Sequence, residues 1–258
     1  MQSDEQVSVV IPVFNEAPVI EEVIGDLMTQ VVDRLPGSEI VVVDDCSTDA
    51  TPLLLQRMAT VHLRLRVIRS EINRGHGPSV VRGLDAASRP WVFLLDSDAQ
   101  FDVADFWKLW AVREDAELVL GRREKRQDPR HRLVLTKVVR AVLSLLATQP
   151  LEDPNVPFRL MRRRLWLDLR EHVGPAPRAP SIMISLGAAL RGYRAKSLPV
   201  VHFPRLHSPS TLRAGRLMRF SLAALGEVIG FRNRVLALSV PEHRKDQAEM
   251  RSAPLHEV

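Results

Sequence analysis

The sequence predicts an α/β fold: a mostly parallel central sheet with helices on both faces. Three observations predict it. Short, continuous apolar runs rich in β-branched residues alternate with stretches of helical periodicity. Polar residues gather where those runs stop, at Asn15-Glu16, Asp44-Asp45 and Asp96-Ser97-Asp98. With 258 residues and 45% of them hydrophobic, the chain can bury one sizeable core. In open α/β sheets, ligands bind beyond the carboxyl ends of the strands, where these polar groups fall.

Val7–Val13 (VSVVIPV) reads as a strand buried on both faces. Val19–Leu35 has helical spacing at Val19, Ile20, Val23, Ile24, Leu27, Met28 and Val31, and Pro36-Gly37 ends it. Glu39–Val43 is a second buried strand. Ser47, Thr48 and Asp49 are capping residue types before a helix over Thr51–Met58. Leu63–Ile68 is a third strand, Asn73–Pro78 a loop, Ser79–Ala87 a helix and Trp91–Leu95 a fourth buried strand. Phe106–Val112 reads as a helix, and Leu118–Leu120 as a strand ending in Gly121-Arg122-Arg123. Arg132–Ala147 is an amphipathic helix, Pro150–Pro157 a loop, and Phe158–Arg164 a strand, or strand-to-turn, before a helix from Leu165. Gly174–Pro180 is Pro-rich. Ile182–Arg191 is a helix, Ala195–Val201 a strand and His202–Thr211 a loop. Leu212–Val240 is long and apolar but broken by charges, and the tail from Pro241 is polar. Catalytic residues are expected within 1–211, with a C-terminal helical segment and tail over 212–258.

Composition narrows the function. The 36 Lys+Arg and 31 Asp+Glu give a net charge of +5, unevenly placed: −10 on residues 1–118 and +15 on 119–258. The acidic half suits a cation. The basic half suits phosphates, a nucleic acid or an anionic membrane. Arg outnumbers Lys 31 to 5, and the plainer reading of that excess is codon bias. Only 5% of residues are aromatic, so base-stacking platforms are scarce and no nucleic-acid partner is expected. A single cysteine, Cys46, excludes a disulfide framework and a Cys-rich metal site. MQSDEQ is no signal peptide, and no uncharged apolar stretch reaches 18 residues, so no transmembrane helix is expected. No G-x-G-x-x-G follows the first strand, which argues against a dinucleotide-dependent dehydrogenase.

Asp96-Ser97-Asp98 is the strongest chemical motif. Alternate residues of an extended segment point the same way, so both carboxylates can face one point. Two aspartates at a strand end suit Mg²⁺ or Mn²⁺ held jointly with substrate phosphates, and Gln100 could add a carbonyl oxygen. The plainer reading is a solvated turn or helix cap. Asp44 can accept hydrogen bonds from a base or ribose, and the plainer reading is again a cap. Asp45 stays undecided between the two.

These residues carry a resemblance. V-S-V-V-I-P-V-F-N-E (7–16), E-I-V-V-V-D-D-C-S-T-D (39–49), N-R-G-H-G (73–77) and L-L-D-S-D-A-Q (94–100) resemble the family 2 glycosyltransferases of GT-A fold. G-R-R (121–123), D-P-N-V-P-F-R (153–159) and H-F-P-R-L-H-S-P-S (202–210) resemble their dolichyl-phosphate mannosyltransferase-like branch. The resemblance implies a nucleotide-diphosphate sugar donor and a divalent metal. It places Pro12 and Glu16 along the nucleotide, and Asp44 at the base or ribose. Asp96, Asp98 and Gln100 fall at the metal and diphosphate, Arg123 at an acceptor phosphate, and Arg205 over the diphosphate. The chain departs from the pattern at His76 (usually lysine), Ser97 (usually alanine), Pro157 (usually glycine) and in the late loop, which lacks a glycine.

The acceptor decides the acid–base chemistry. A sugar hydroxyl needs a general base, and Glu152 or Asp153 would supply it. A lipid phosphate is already anionic near neutrality, and Asp153 would then orient the acceptor or an arginine, or simply cap the turn before Pro154. His202 reads as a structural loop residue. The leading expectation is a metal-dependent inverting transferase acting on a polyprenyl phosphate, peripheral on the cytoplasmic face of the membrane. The rivals are the same fold acting on a soluble saccharide or small molecule, a non-catalytic Arg-rich nucleic-acid binder, and a nucleotidyltransferase. Arg122, Arg123, Arg126, Arg130, Arg132 and Arg140, around the apolar face of 132–147, would meet anionic headgroups if that face does not pack on the core. The 212–240 segment reads equally as core, homodimer or membrane contact.

Overall fold

A computed structural model describes residues 4–123, 153–204 and 214–237. The amphipathic run 132–147, Glu152, Arg205 and the tail from 241 therefore lie outside the described residues. Seven strands form one sheet: β1 (Val7–Val13), β2 (Glu39–Asp44), β3 (Leu65–Arg69), β4 (Trp91–Leu94), β5 (Leu118–Arg123), β6 (Arg159–Arg162) and β7 (Ala195–Val200). Their order is β3-β2-β1-β4-β6-β5-β7. Only β6 runs antiparallel to its neighbours β4 and β5. The sheet is thus mostly parallel, as the β-branched runs foretold.

The helices are α1 (Ile20–Leu27), α2 (Thr51–Val61), α3 (His76–Ala86), α4 (Phe106–Ala111), α5 (Arg163–Val173), α6 (Pro180–Leu190) and α7 (Ala214–Ala237). Ile20, Val23, Ile24 and Leu27 bury one face of α1. The helix then widens into a π turn over Met28–Val32, which keeps Met28, Val31 and Val32 buried. A regular helix through Leu35 was expected. Pro12 is tolerated inside β1 because the ladder to β4 ends at Val10, so fewer backbone donors are needed there.

Two other expectations are corrected. Helix α3 starts at His76, three residues early. Pro78 fits its first turn, where backbone N–H groups have no helical partner. Gly77 is required there, since a Cβ would lie 1.7 Å from the Pro177 carbonyl oxygen. Strand β5 also runs on through Gly121-Arg122-Arg123, because those residues pair with Leu198–Val200 of β7. In α7, Ala224, Val228, Phe231 and Val235 join the same core as the sheet, which favours the core reading of that segment. Phe220, Leu222, Ile229 and Leu236 remain exposed on its other side. No helix among the described residues is long and apolar enough to cross a membrane.

Candidate active site

The carboxyl ends of β1, β2 and β4 bring the first three motifs together. Asn15, after β1, donates its backbone N–H to Ser47 Oγ at 2.9 Å, and its Oδ1 accepts from Thr48 N at 2.8 Å. Glu16 N donates to Thr51 Oγ1 at 3.0 Å. Asp49 accepts from Ala17 N at 3.1 Å and Thr51 N at 2.9 Å, so Asp49, not Asp45 or Ser47, ties down the start of α2. Burial pushes the Asp49 carboxyl up, but these hydrogen bonds outweigh it and hold the group below its ordinary range.

Asp44 and Asp45 divide the labour that the sequence left open. Asp44 is buried. Its Oδ1 accepts from Ser47 N at 2.9 Å, and its Oδ2, without a hydrogen bond among the described residues, lies 3.5 Å from Arg69 Nε. Asp45 organises a loop: its carboxylate accepts from Arg74 N at 3.0 Å and Gly75 N at 2.6 Å. Pro12 is buried within β1, and Glu16 is buried beside α2.

Asp96 and Asp98 follow β4. Asp96 Oδ1 is buried and makes no hydrogen bond among the described residues; His76 Nε2 lies 3.9 Å away. Such an orphaned carboxylate oxygen is costly unless a cation or donor completes it. Asp98 Oδ1 accepts from Gln100 N at 3.4 Å. Gln100 Nε2 donates to Phe203 O at 3.1 Å, which leaves the amide carbonyl as its acceptor. Phe203 N returns a bond to Gln100 O at 2.8 Å, and His202 bridges Phe101, stacking edge-on against its ring. His202 is therefore structural, as read, and it fastens the late segment beside the Asp-Ser-Asp turn. No three His, Cys, Asp or Glu side chains among the described residues form a ready cation cage. The residues fit a hard cation that takes its remaining ligands from phosphate and water.

On the far side of β4, Arg123 and Asp153 form a bidentate pair. Nε and Nη2 of Arg123 donate to the two carboxylate oxygens at 2.8 and 2.7 Å, and both side chains are largely buried. Beneath them lies a residue that motif reading passed over. Arg159 is fully buried, and its guanidinium donates to the carbonyls of Pro154 (3.1 Å), Val156 (3.0 Å) and Ser181 (2.7 Å), and to Ser185 Oγ (3.2 Å). Burial pulls it down to about 9, against the attraction of Asp153 and Asp96, so it stays charged at neutrality. The signal for it was an arginine among apolar residues in V-P-F-R-L-M, where a buried cation needs a built set of acceptors.

Backbone strain marks the same places. The non-glycine residues with positive φ are Asn15 (56°), Cys46 (63°), Ala99 (53°) and Asp153 (44°) among the described residues. Each costs of order 1–3 kcal/mol, and all four lie in the motifs singled out from the sequence.

A family model for glycosyl transferase family 2 matches residues 8–170. The chain belongs to that family. Among curated relatives, an undecaprenyl-phosphate 4-deoxy-4-formamido-L-arabinose transferase of Salmonella choleraesuis is 27% identical over 219 residues. That alignment covers 83% of this chain and 64% of the relative. The Proteus mirabilis protein of the same name is 28% identical over 163 residues, 62% of this chain and 50% of the relative. The chain thus spans about half to two thirds of the relatives it matches. Among solved structures, a Pyrobaculum calidifontis mannosyltransferase with GDP-Man and Mn²⁺ aligns over 97% of this chain and 81% of its own, at 21% identity and TM-score 0.58. Glucosyl-3-phosphoglycerate synthase of Mycobacterium tuberculosis, with Mn²⁺, UDP-Glc and phosphoglyceric acid, aligns over 90% and 81%, at 20% identity and TM-score 0.63. These likenesses establish the GT-A fold of the family 2 chain.

Proposed function

We propose that this family 2 protein is a divalent-metal-dependent, inverting glycosyltransferase that moves a sugar from a nucleotide-diphosphate donor to a polyprenyl phosphate. The observation that carries the reading is the Arg123–Asp153 pair. A carboxylate whose two oxygens are both taken by a guanidinium fork is a poor general base. An acceptor phosphate, already ionised, needs none. The names of the curated relatives support that acceptor class.

In this reading Asp44, Pro12 and Glu16 line the nucleotide, and Asp96, Asp98 and Gln100 hold Mg²⁺ or Mn²⁺ beside the diphosphate. The bound cation supplies Lewis-acid neutralisation of the departing nucleoside diphosphate. The acceptor phosphate displaces Asp153 from part of the Arg123 fork, which matches its oxygens bidentately. A phosphate oxygen attacks the anomeric carbon from the face opposite the donor bond. That bond breaks, and its electron pair leaves with the diphosphate. Arg205 is assigned to the leaving diphosphate. Asp153 positions Arg123 and moves no proton. The reaction takes place at the cytoplasmic face of the membrane, with the protein bound peripherally.

The test is transfer of labelled sugar from UDP- and GDP-sugars to undecaprenyl phosphate, with Mn²⁺, Mg²⁺ or EDTA. The expected result is metal-dependent label in the lipid fraction. Label only on soluble acceptors, with a severe loss for Asp153→Asn beside near-normal Arg123→Ala, would replace the lipid phosphate by a hydroxyl acceptor.

A further inference from the structure

A concavity opens at the amino ends of the strands, away from the candidate active site. Its volume is about 420 Å³, within the range of small-molecule sites. Arg89, Arg162, Arg163 and Arg164 line it, with Asp4 as its single carboxylate. Arg89 precedes β4 and Asp96 follows it, so about 3.3 Å per extended residue puts roughly 20 Å between the groove and the Asp-Ser-Asp turn.

The four arginines are not equally engaged. Arg162 is spent on the wall: its guanidinium lies 4.1 Å over the Trp91 ring and donates to Asp4 at 2.6 Å and Glu114 at 2.8 Å. Arg164 donates to Glu117 at 3.2 Å, but Glu117 also serves Arg194 at 3.1 Å. Arg163 uses only Nε, donating to Ala87 O at 2.7 Å, and its two terminal nitrogens have no hydrogen bond among the described residues. Arg89 Nε is buried without a hydrogen bond among the described residues and stands 4.0 Å from Glu39. Glu39 is committed inward, accepting from Ser8 Oγ at 2.7 Å, Ser88 Oγ at 2.7 Å and Ser88 N at 3.0 Å. The amino end of the eleven-residue α5 begins at Arg163 and adds its partial positive charge at the same wall.

We propose that this groove binds a phosphate-bearing ligand, gripped by the Arg89 and Arg163 guanidiniums in front of the α5 amino end, separately from the donor and acceptor sites. Guanidinium forks match phosphate oxygens, and both arginines hold donors without a hydrogen bond among the described residues. The ligand is either a soluble phosphorylated small molecule or an anionic headgroup, which share this chemistry.

Calorimetric titration with pyrophosphate at low salt, with EDTA holding divalent cations away from Asp96 and Asp98, tests it. Saturable binding is expected in wild type and in Asp98→Asn, and Arg89→Gln with Arg163→Gln should weaken it at least about tenfold per guanidinium. Arg89→Lys with Arg163→Lys, which keeps the charge and loses the fork, should fall between. If the glutamine pair melts early, the lysine pair and Arg164→Gln carry the reading. Sedimentation with phosphatidylglycerol and phosphatidylcholine vesicles separates the sources. Binding to the anionic vesicles alone, lost in the same variants, identifies a headgroup. No saturable pyrophosphate or anionic-vesicle binding, or binding unchanged by the substitutions, overturns the site.

Discussion

On one side of β4 the carboxylates are held by backbone N–H groups. Asp44 takes that of Ser47, Asp45 those of Arg74 and Gly75, and Asp49 those of Ala17 and Thr51. On the other side the cations are held by oxygens: Arg123 by Asp153, and Arg159 by three carbonyls and a hydroxyl. Backbone donors leave a carboxylate its full charge while fixing its direction, which suits an anion meant to face a metal or a ribose. Carbonyl acceptors do the same for the buried Arg159 guanidinium beneath the Arg123–Asp153 pair. Among the described residues the motif carboxylates form an acidic field on the β1–β2 side of β4, and Arg123 and Arg159 a basic field on its β6–β5 side.

The first way to break this picture is to remove a charge from the acidic field. Asp98→Asn keeps shape and loses the ionic ligand, so metal-dependent nucleotide binding should vanish and transfer should fall roughly 10³-fold, with the melting temperature nearly unchanged. Calorimetry with UDP or GDP, with and without Mn²⁺, measures it. Unchanged metal-dependent affinity would remove the cation from the acidic side.

The second removes a charge from the basic field. Arg123→Ala should cost about 10²-fold in transfer through the lost bidentate contact, with donor affinity retained. Asp153→Asn should cost less than about tenfold, since it only loosens the fork. The double variant should be no worse than Arg123→Ala, because the two groups act as one unit. Rates and donor dissociation constants for the three variants decide it.

Much of the acidic side was legible because its elements announce themselves: three buried apolar runs, each stopping at a polar motif. What the sequence hid there were directions. Nothing in Asp44-Asp45 tells that Asp45 folds a loop, because that follows from where the 74–75 backbone arrives. The basic side was less legible. Its antiparallel β6 is only four residues long, and the partners of Arg159 come both from 154–156, three to five positions before it, and from α6, 22 to 26 positions after it. Composition shows that arginines are abundant, but not which one is buried.

That buried arginine gives the third test. Arg159→Met removes the donors of several buried carbonyls, each worth about 1–3 kcal/mol when left unsatisfied. A net loss of about 3 kcal/mol, or roughly 10 °C in melting temperature for a chain of this size, is expected. Arg159→Lys should recover part of it. If Arg159→Met melts like wild type, the guanidinium is not what holds the 153–156 turn.

The smallest effect separates the two sides by pH. His172, at the end of α5, is buried, and burial first, then the Arg191 guanidinium, hold its imidazole below the ordinary 6.5. Arg191 Nη2 lies 3.0 Å from Nε2, and because arginine only donates, that nitrogen is an acceptor and the ring is neutral. Arg234 of α7 donates to the His172 carbonyl at 2.9 Å, so this one residue joins α5, α6 and α7. In the unfolded chain the imidazole gains its proton near 6.5, while in the folded chain it gains it only at lower pH. As pH falls through 6.5 the unfolded state binds more protons and stability drops, and the drop stops growing below the folded value. Glu39 and Asp49 behave otherwise. Both are held below 4.5 and 3.8, their ordinary values, because hydrogen bonds outweigh the upward push of burial, so their stabilisation persists until the pH falls through that lower range. Between about pH 7 and about pH 5 the His172 loss should therefore fall on the α5–α6–α7 side. Amide exchange in α5 and α7 should quicken over that interval while β1 and β2 stay protected. His172→Gln, which cannot be protonated, should flatten the dependence. Equal quickening on both sides, or a wild-type pH profile in His172→Gln, would show that the two sides unfold as one unit over that range.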